Sequence, residues 1–572
     1  MPTCLDHASH RPKLAKAAVL GCLLLATVPA TAPTGAFAQV AKPAPDLDRL
    51  FGSIAPTGPG CAAGLAMAGA PPLIRTYGLA DLEHPEPITA RTVFESGSLA
   101  KQFTAAAMQL LVQDGKLALD DDIRRYLPEM PDFGTPITIR NLLNHTSGLR
   151  EQWSLLALAG DPPGTQVHGQ ATILDLASRQ KGLNFVPGTE FLYTNTNYVL
   201  AATIVERVSG QGLQAFTDQR LFRPLGMGQT RWREDFRTVV PGRATAYAPT
   251  DTGFIASMPF TNVYGNGGLL TTVGDLLRWN AFLDKPSDLP GGPALVAALE
   301  TPGRLKGGAP LEYGMGLELT PDHGRRLVSH SGSTGGYKTW LGRYPEQGIS
   351  VVVLCNNGGI DPVSLGEDVA QQALLATGRA KAASAVSAPR AVAAAQMAIA
   401  DLSPYQGLFR DPISGELVQT QVANGQLTLT QGAAQLLTPL GGERFQRADG
   451  DGVRFVRTDQ APAELTVSHG GTSRKFVAVQ PASSDPAALA AYVGTYYSAE
   501  LDTRITVVRQ GDALAMRQPF AVEWRLQPRF ADGFTTRLRG TTTFVFARTE
   551  SGQISGFAAW ANGARNIPFV RQ

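Results

Sequence analysis

Residues 95–123 read ESGSLAKQFTAAAMQLLVQDGKLALDDDI, and the rest of the chain is best read outward from them. Phe103, Ala107, Leu110 and Leu111 recur at helical spacing and the pattern stops at Gly115, so a helix with a buried face opens at Ser98. Three residues is just under one turn, which puts Lys101 on the face of Ser98 with its amine in reach of the hydroxyl. A serine is a poor nucleophile at neutral pH. A desolvated lysine of lowered pKa can take its proton, and a helix N-terminus favours both the neutral amine and a developing oxyanion. Alone, S-x-x-K also describes an ordinary capping serine followed by a surface lysine. Ser178-Arg179-Gln180-Lys181 repeats it by chance near a helix end that stops at Gly182.

Two further groups give the pattern weight. Tyr193-Thr194-Asn195 follows the turn VPG and precedes the apolar helix NYVLAATIVERVSG, so it lies on a loop at a helix start. His330-Ser331-Gly332 ends a short strand, RRLVSH, and is followed by another, TGGYKTWLGRY. Singly these are a capping Asn beside a packed Tyr, and a strand-end His. Together the order S-x-x-K, Y-x-N, H-x-G, some 95 and then 137 residues apart, resembles the penicillin-recognising serine hydrolases: class C β-lactamases, DD-peptidases, esterases and D-aminopeptidases. TIRNLLNHTSGL and NGGLLTTVGDLLRW are also similar to that family's text, and the resemblance spans nearly all of residues 45–378.

The resemblance implies an α/β domain of β-lactamase/transpeptidase type, an antiparallel sheet flanked by helices. It implies Ser98 as the acylated nucleophile, Lys101 and Tyr193 as a shared proton relay, and Asn195 as a hydrogen-bonding partner of substrate and lysine. The backbone N–H groups of Ser98 and of Ser333, the residue after Gly332, would form an oxyanion hole. Either Lys101 or Tyr193 can be the base. The family's third motif typically begins with Lys, a permanent cation for a substrate carboxylate; His330 is mostly neutral at pH 7, so carboxylate capture there is expected to be weak. No serine carries the G-x-S-x-G elbow of α/β-hydrolases. The expected activity is hydrolysis of small peptides, amides or esters, D-aminopeptidase-like, against an esterase, β-lactamase or DD-carboxypeptidase of the same family. A catalytically idle binding protein is the opposing class.

Between these motifs the chain alternates strand-like runs with amphipathic helices, and SVVVLCNN from Ser350 to Asn357 has the β-branched run of a buried strand. Residues 379–400 are Ala-rich and read as a linker. Beyond them come short alternating strands, and the segment repeats itself with a period of about 87 residues. Leu402, Tyr405, Gly407 and Phe409 match Leu489, Tyr492, Gly494 and Tyr496; Ser414, Glu416 and Leu417 then match Ser498, Glu500 and Leu501; Phe455-x-Arg457 answers Phe546-x-Arg548. Two copies are too few for a solenoid, so each is read as a closed up-and-down barrel, at 401–479 and 489–572. This architecture resembles D-aminopeptidases, as do SGLREQW from Ser147 and VGTYYSAELD from Val493. In those enzymes a longer loop of the second barrel reaches the active site, whereas here Phe534 to Phe546 reads as a tight hairpin around Arg539-Gly540.

The N-terminus completes the picture. Arg11, Lys13 and Lys16 precede the apolar run Ala17 to Val28, and Ala36-Phe37-Ala38 matches the signal-peptidase pattern. Residues 1–38 therefore read as a signal peptide cleaved between Ala38 and Gln39, giving a periplasmic or secreted protein. The apolar run is shorter than the roughly 20 residues of a spanning helix, and its main part follows Cys22 instead of preceding it as a lipoprotein box requires. The leader holds the whole +2 charge excess, so the mature chain is close to neutral and lacks the cations that nucleic acid demands. No metal or other cofactor is expected, since the six histidines beyond the leader show neither H-x-H nor H-E-x-x-H spacing. Cys61 and Cys355 remain after cleavage. If the sheet follows the family's order their strands are neighbours, which leaves a disulfide and a pair of buried thiols both open.

Overall fold

The computed structural model describes residues 45–377, 401–431, 433–447, 450–458, 462–469, 472–483, 486–519 and 523–572. The expected signal peptide and the linker at 379–400 lie outside them. No helix among the described residues is long and apolar enough to cross a membrane.

A five-stranded antiparallel sheet organises the first part, in the order Val328–Thr334, Tyr337–Tyr344, Ile349–Cys355, Cys61–Met67, Leu73–Tyr77. The central strand Ile349–Cys355 is buried at every residue because both its faces are covered. Val351 and Val353 pack with Val369, Ala373 and Leu374 of the helix Pro362–Thr377, while Val352 and Leu354 join the larger core of the helical side. This double burial explains an apolar run without alternation. Cys61 stands directly opposite Cys355 in the ladder, and the two are joined as a disulfide.

On the helical side the helix Ala100–Gln113 is buried from Ala100 to Leu111. The helix Asn195–Ser209 is buried from Thr196 to Val205 and belongs to the same core. Small residues at Ala105, Ala106 and Ala107 let neighbours close on the first helix from all sides, so its apolar character is not confined to one stripe.

Both C-terminal repeats form closed eight-stranded antiparallel barrels, the first from Gly407 to Val479 and the second from Gly494 to Arg571. The repeat is physical as well as textual. Tyr405 packs edge-on to Phe455 at 5.1 Å with Arg457 over its ring, and Tyr492 packs on Phe546 at 5.0 Å with Arg548 over its ring. Repeated positions diverge where the copies have different neighbours. Glu416 pairs with Arg474 inside the first barrel, whereas Glu500 pairs with Arg150 of the α/β part, both side chains being about 95% buried.

The second barrel is thereby built into the α/β part. Its interior residues Tyr496, Ile505 and Met516 share one apolar cluster with Leu155, Leu158, Leu176 and Val199. Bonds to main-chain carbonyls cross the seam: the Glu151 N–H donates to that of Gly563 at 2.8 Å and the Ser154 hydroxyl to that of Asn562 at 2.6 Å.

Candidate active site

Ser98 lies in a tight 3-10 turn, Gly97–Leu99, that runs directly into the helix Ala100–Gln113. The turn sits hard against the edge strand carrying His330-Ser331-Gly332. A Cβ on Gly97, whose φ is +54°, would come within 2.6 Å of the Ser333 nitrogen, and one on Gly332 would meet the Ser96 carbonyl oxygen at 2.1 Å. Both glycines are therefore dictated by the approach of turn to strand, and that approach brings the backbone of Ser333 beside the nucleophile's turn. The strand does not stop at His330 as its sequence suggested; pairing with Tyr337–Tyr344 carries it on to Thr334.

Lys101 is fully buried, and its amine lies 3.0 Å from Ser98 Oγ, 2.9 Å from Asn195 Oδ1 and 2.8 Å from the Asn266 carbonyl oxygen. Burial lowers its pKa to about 7 against an opposing pull from Glu151. A neutral amine has two N–H donors and one lone pair. The two carbonyl-type oxygens accept the N–H groups, which leaves the lone pair for the Ser98 hydroxyl.

The Tyr193 hydroxyl also faces the Ser98 side chain, which lowers its pKa, while burial drives that pKa upward more strongly. The Lys101 amine lies 4.8 Å from the centre of the Tyr193 ring. Asn195 ties the site together, its Nδ2 donating to Glu151 Oε1 at 2.9 Å while its Oδ1 serves Lys101. His330 is buried, with Nδ1 2.6 Å from the Ser331 carbonyl oxygen and Nε2 3.1 Å from the Tyr313 hydroxyl. Its Nδ1 must donate to that carbonyl, so Nε2 accepts from Tyr313; burial lowers the pKa to about 3, which keeps the imidazole neutral. The seven residues singled out in the sequence thus come together at one point of the fold.

Several residues here carry no spacing signal. His145 packs 4.3 Å from Tyr193, is held neutral by burial, and accepts from the Thr194 N–H at 3.2 Å. Glu151 caps the helix Gln152–Ala159 through Ser154 N–H, and burial raises its carboxyl pKa. Tyr313 orients His330. Arg539 is at the tip of the hairpin formed by Gly533–Leu538 and Gly540–Arg548, whose last pair is Leu538 with Gly540. That hairpin is as tight as the sequence indicates, yet Arg539 lines the same cavity as Ser98 and Asn195, because the docked barrel delivers it there.

Two cavities meet at Ser98. One, about 660 Å³, is lined by Asn195, Trp153, Arg233, Asn266 and Arg539; the other, about 520 Å³, by Tyr193, His330, Ser333, Glu318 and Lys338. A nucleophile between two cavities suits a scissile bond that crosses from one to the other.

A buried helix headed by serine and lysine, a facing tyrosine and an edge strand beside the turn define a penicillin-recognising type of α/β domain, here followed by two barrels. The chain belongs to the Beta-lactamase family, whose model matches residues 55–375. It is similar to the D-aminopeptidase of Brucella canis, 26% identical over 537 residues covering 90% of this chain and 96% of the relative. The D-aminopeptidase of Brucella anthropi is likewise 26% identical over 530 residues, 90% of this chain and 95% of the relative. In fold it is similar to an octameric penicillin-binding protein homologue from Pyrococcus abyssi, with a TM-score of 0.51 and 24% identity over 73% of this chain and 96% of that one.

Proposed function

We propose that the protein is an exported serine hydrolase that removes an N-terminal D-residue from short peptides and amides through an acyl-enzyme on Ser98. The observation that carries this reading is the Lys101 amine, buried, of pKa about 7, with its lone pair free for Ser98 Oγ 3.0 Å away. Ser98 Oγ attacks the amide carbonyl while its proton passes to the relay of Lys101 and Tyr193. The oxyanion is held by the N–H groups of Ser98 and Ser333. Collapse expels the amine, which takes the proton back from the relay, and water then attacks the ester by the same route in reverse.

The direction of the substrate follows from the proton. The leaving nitrogen must face the Tyr193 side, so the leaving group occupies the 520 Å³ cavity and the acyl residue the 660 Å³ cavity. At the position where carboxypeptidases and β-lactamases typically place a cation the neutral His330 carries none; the preference for a free N-terminus over an N-acyl group rests on the D-aminopeptidase relatives. The D-aminopeptidase relatives support D-stereochemistry. Export rests on the leader's sequence, and the Cys61–Cys355 disulfide supports an oxidising compartment.

The test compares kcat/KM for D-Ala and L-Ala p-nitroanilides, a p-nitrophenyl ester, nitrocefin and an N-acylated D-Ala-D-Ala peptide. The D-anilide is expected to lead the L-anilide by at least about tenfold and to exceed nitrocefin and the N-acyl peptide. Nitrocefin or the N-acyl peptide as best substrate would overturn the reading, and turnover of the ester alone would make the protein an esterase.

A further inference from the structure

The geometry points to Lys338 as the residue that reads the leaving group, binding the α-carboxylate of the second residue of a D-Xaa-Xaa dipeptide. This rests on the aminopeptidase reading above and narrows its substrate class from amides in general to dipeptides. Lys338 faces Ser333 across the ladder formed by the two strands Val328–Thr334 and Tyr337–Tyr344, and its ammonium donates to Ser333 Oγ at 3.0 Å. It lines the 520 Å³ cavity together with Ser98 and Tyr193, the cavity that receives the leaving group.

Reach and charge both fit. From Ser333 Oγ back to its own nitrogen is three covalent bonds, so the Lys338 ammonium lies within about 7 Å of that nitrogen and within about 10 Å of the oxyanion that its N–H would hold. The carboxylate of a leaving residue is two bonds from the expelled nitrogen, which places it between the oxyanion position and Lys338. The Ser333 hydroxyl lies on that path and can donate a second hydrogen bond. Among the described residues no carboxylate oxygen comes within 4.0 Å of the Lys338 ammonium, so no ion pair has to break. Asp361 exerts charge on it from a distance, but its oxygens already accept from the Val363 and Ser364 N–H groups and the Ser364 hydroxyl. Glu318, the other acid of this cavity, acts on Tyr193 and Tyr313 at the opposite end, and burial raises its pKa. The cation missing at His330 is thus supplied from the next strand, nearer the rim, where it meets the carboxylate of a leaving residue.

The experiment compares D-Ala-Gly with D-Ala-glycinamide, which differ only in that carboxylate. For the wild-type enzyme the dipeptide is expected to have a KM about tenfold lower at similar kcat, the effect of one charge-assisted hydrogen bond. Lys338→Met should bring the ratio of the two KM values to about one, and Lys338→Arg should keep most of it. A wild-type ratio near one, or a ratio that survives Lys338→Met, overturns the assignment. Calorimetric binding of both compounds to the Ser98→Ala protein, with and without Lys338→Met, reads the same ratio without turnover. If neither compound is cleaved, the aminopeptidase reading fails while the binding ratio still decides the role of Lys338.

Discussion

Replacing Lys101 by arginine is expected to lower kcat/KM about 10³-fold, as much as replacing it by methionine. Arginine keeps the positive charge and nearly the length, so it would serve if Lys101 merely held Ser98 or Asn195 by charge. It cannot serve as a base, because a guanidinium does not give up its proton. In the wild type, protonation of an amine with a pKa of about 7 removes the lone pair that Ser98 requires. Below that pH kcat/KM should fall about tenfold per unit, and above it the profile should level off. The methionine variant, matching the lysine stem, should retain the wild-type unfolding temperature closely enough to show that the loss is chemical. Near-wild-type activity in the arginine variant, or a flat profile between pH 5 and 8, would refute the role given to Lys101.

The second large effect concerns the seam between the barrel and the α/β part. Glu500→Ala leaves the Arg150 guanidinium buried without its carboxylate, and the expected cost is about 3–5 kcal/mol. Gln180 and the Asn566 carbonyl still accept from Arg150, at 3.0 and 3.3 Å, but they do not neutralise it. Thermal unfolding should shift downward by several degrees, and activity should fall with it, because the same seam positions Arg539 on the acyl cavity and Glu151 behind Asn195. Arg150→Met added to Glu500→Ala is expected to recover part of the stability, since the buried charge is then gone. An unfolding temperature unchanged by Glu500→Ala would mean that the barrel is not held by this pair.

How much of this was legible in the sequence depended on the range of the forces involved. Ser98 and Lys101 are three residues apart on one helix, so their meeting is a local fact. The run Ser350 to Asn357 named itself as a buried strand, and the barrel repeat exposed itself because Tyr405 and Tyr492 recur with their partners Phe455 and Phe546. Glu151, Tyr313, Lys338 and Arg539 had no such partner at a fixed spacing; each reaches the site only when distant segments pack. Arg539 is the clearest case. Its hairpin was read correctly as tight, but its place in the active-site cavity follows from docking through Leu155, Leu158 and Glu500, which no short pattern encodes. Likewise His330 showed that one cation is missing, while the compensating Lys338 came into view only with the register of the two edge strands.

The central claim is that Ser98 is an acylated nucleophile, and the most direct measurement is covalent capture. Incubating the purified protein with a fluorophosphonate probe, and separately with a fluorescent penicillin, followed by mass spectrometry of the intact chain and its peptides, reads the bond itself. One probe molecule per chain is expected, mapped to Ser98 and absent from the Ser98→Ala variant, which should unfold at the wild-type temperature because one cavity-lining hydroxyl contributes little to stability. No adduct on Ser98 with either probe would contradict the account and favour a protein that only binds its ligand.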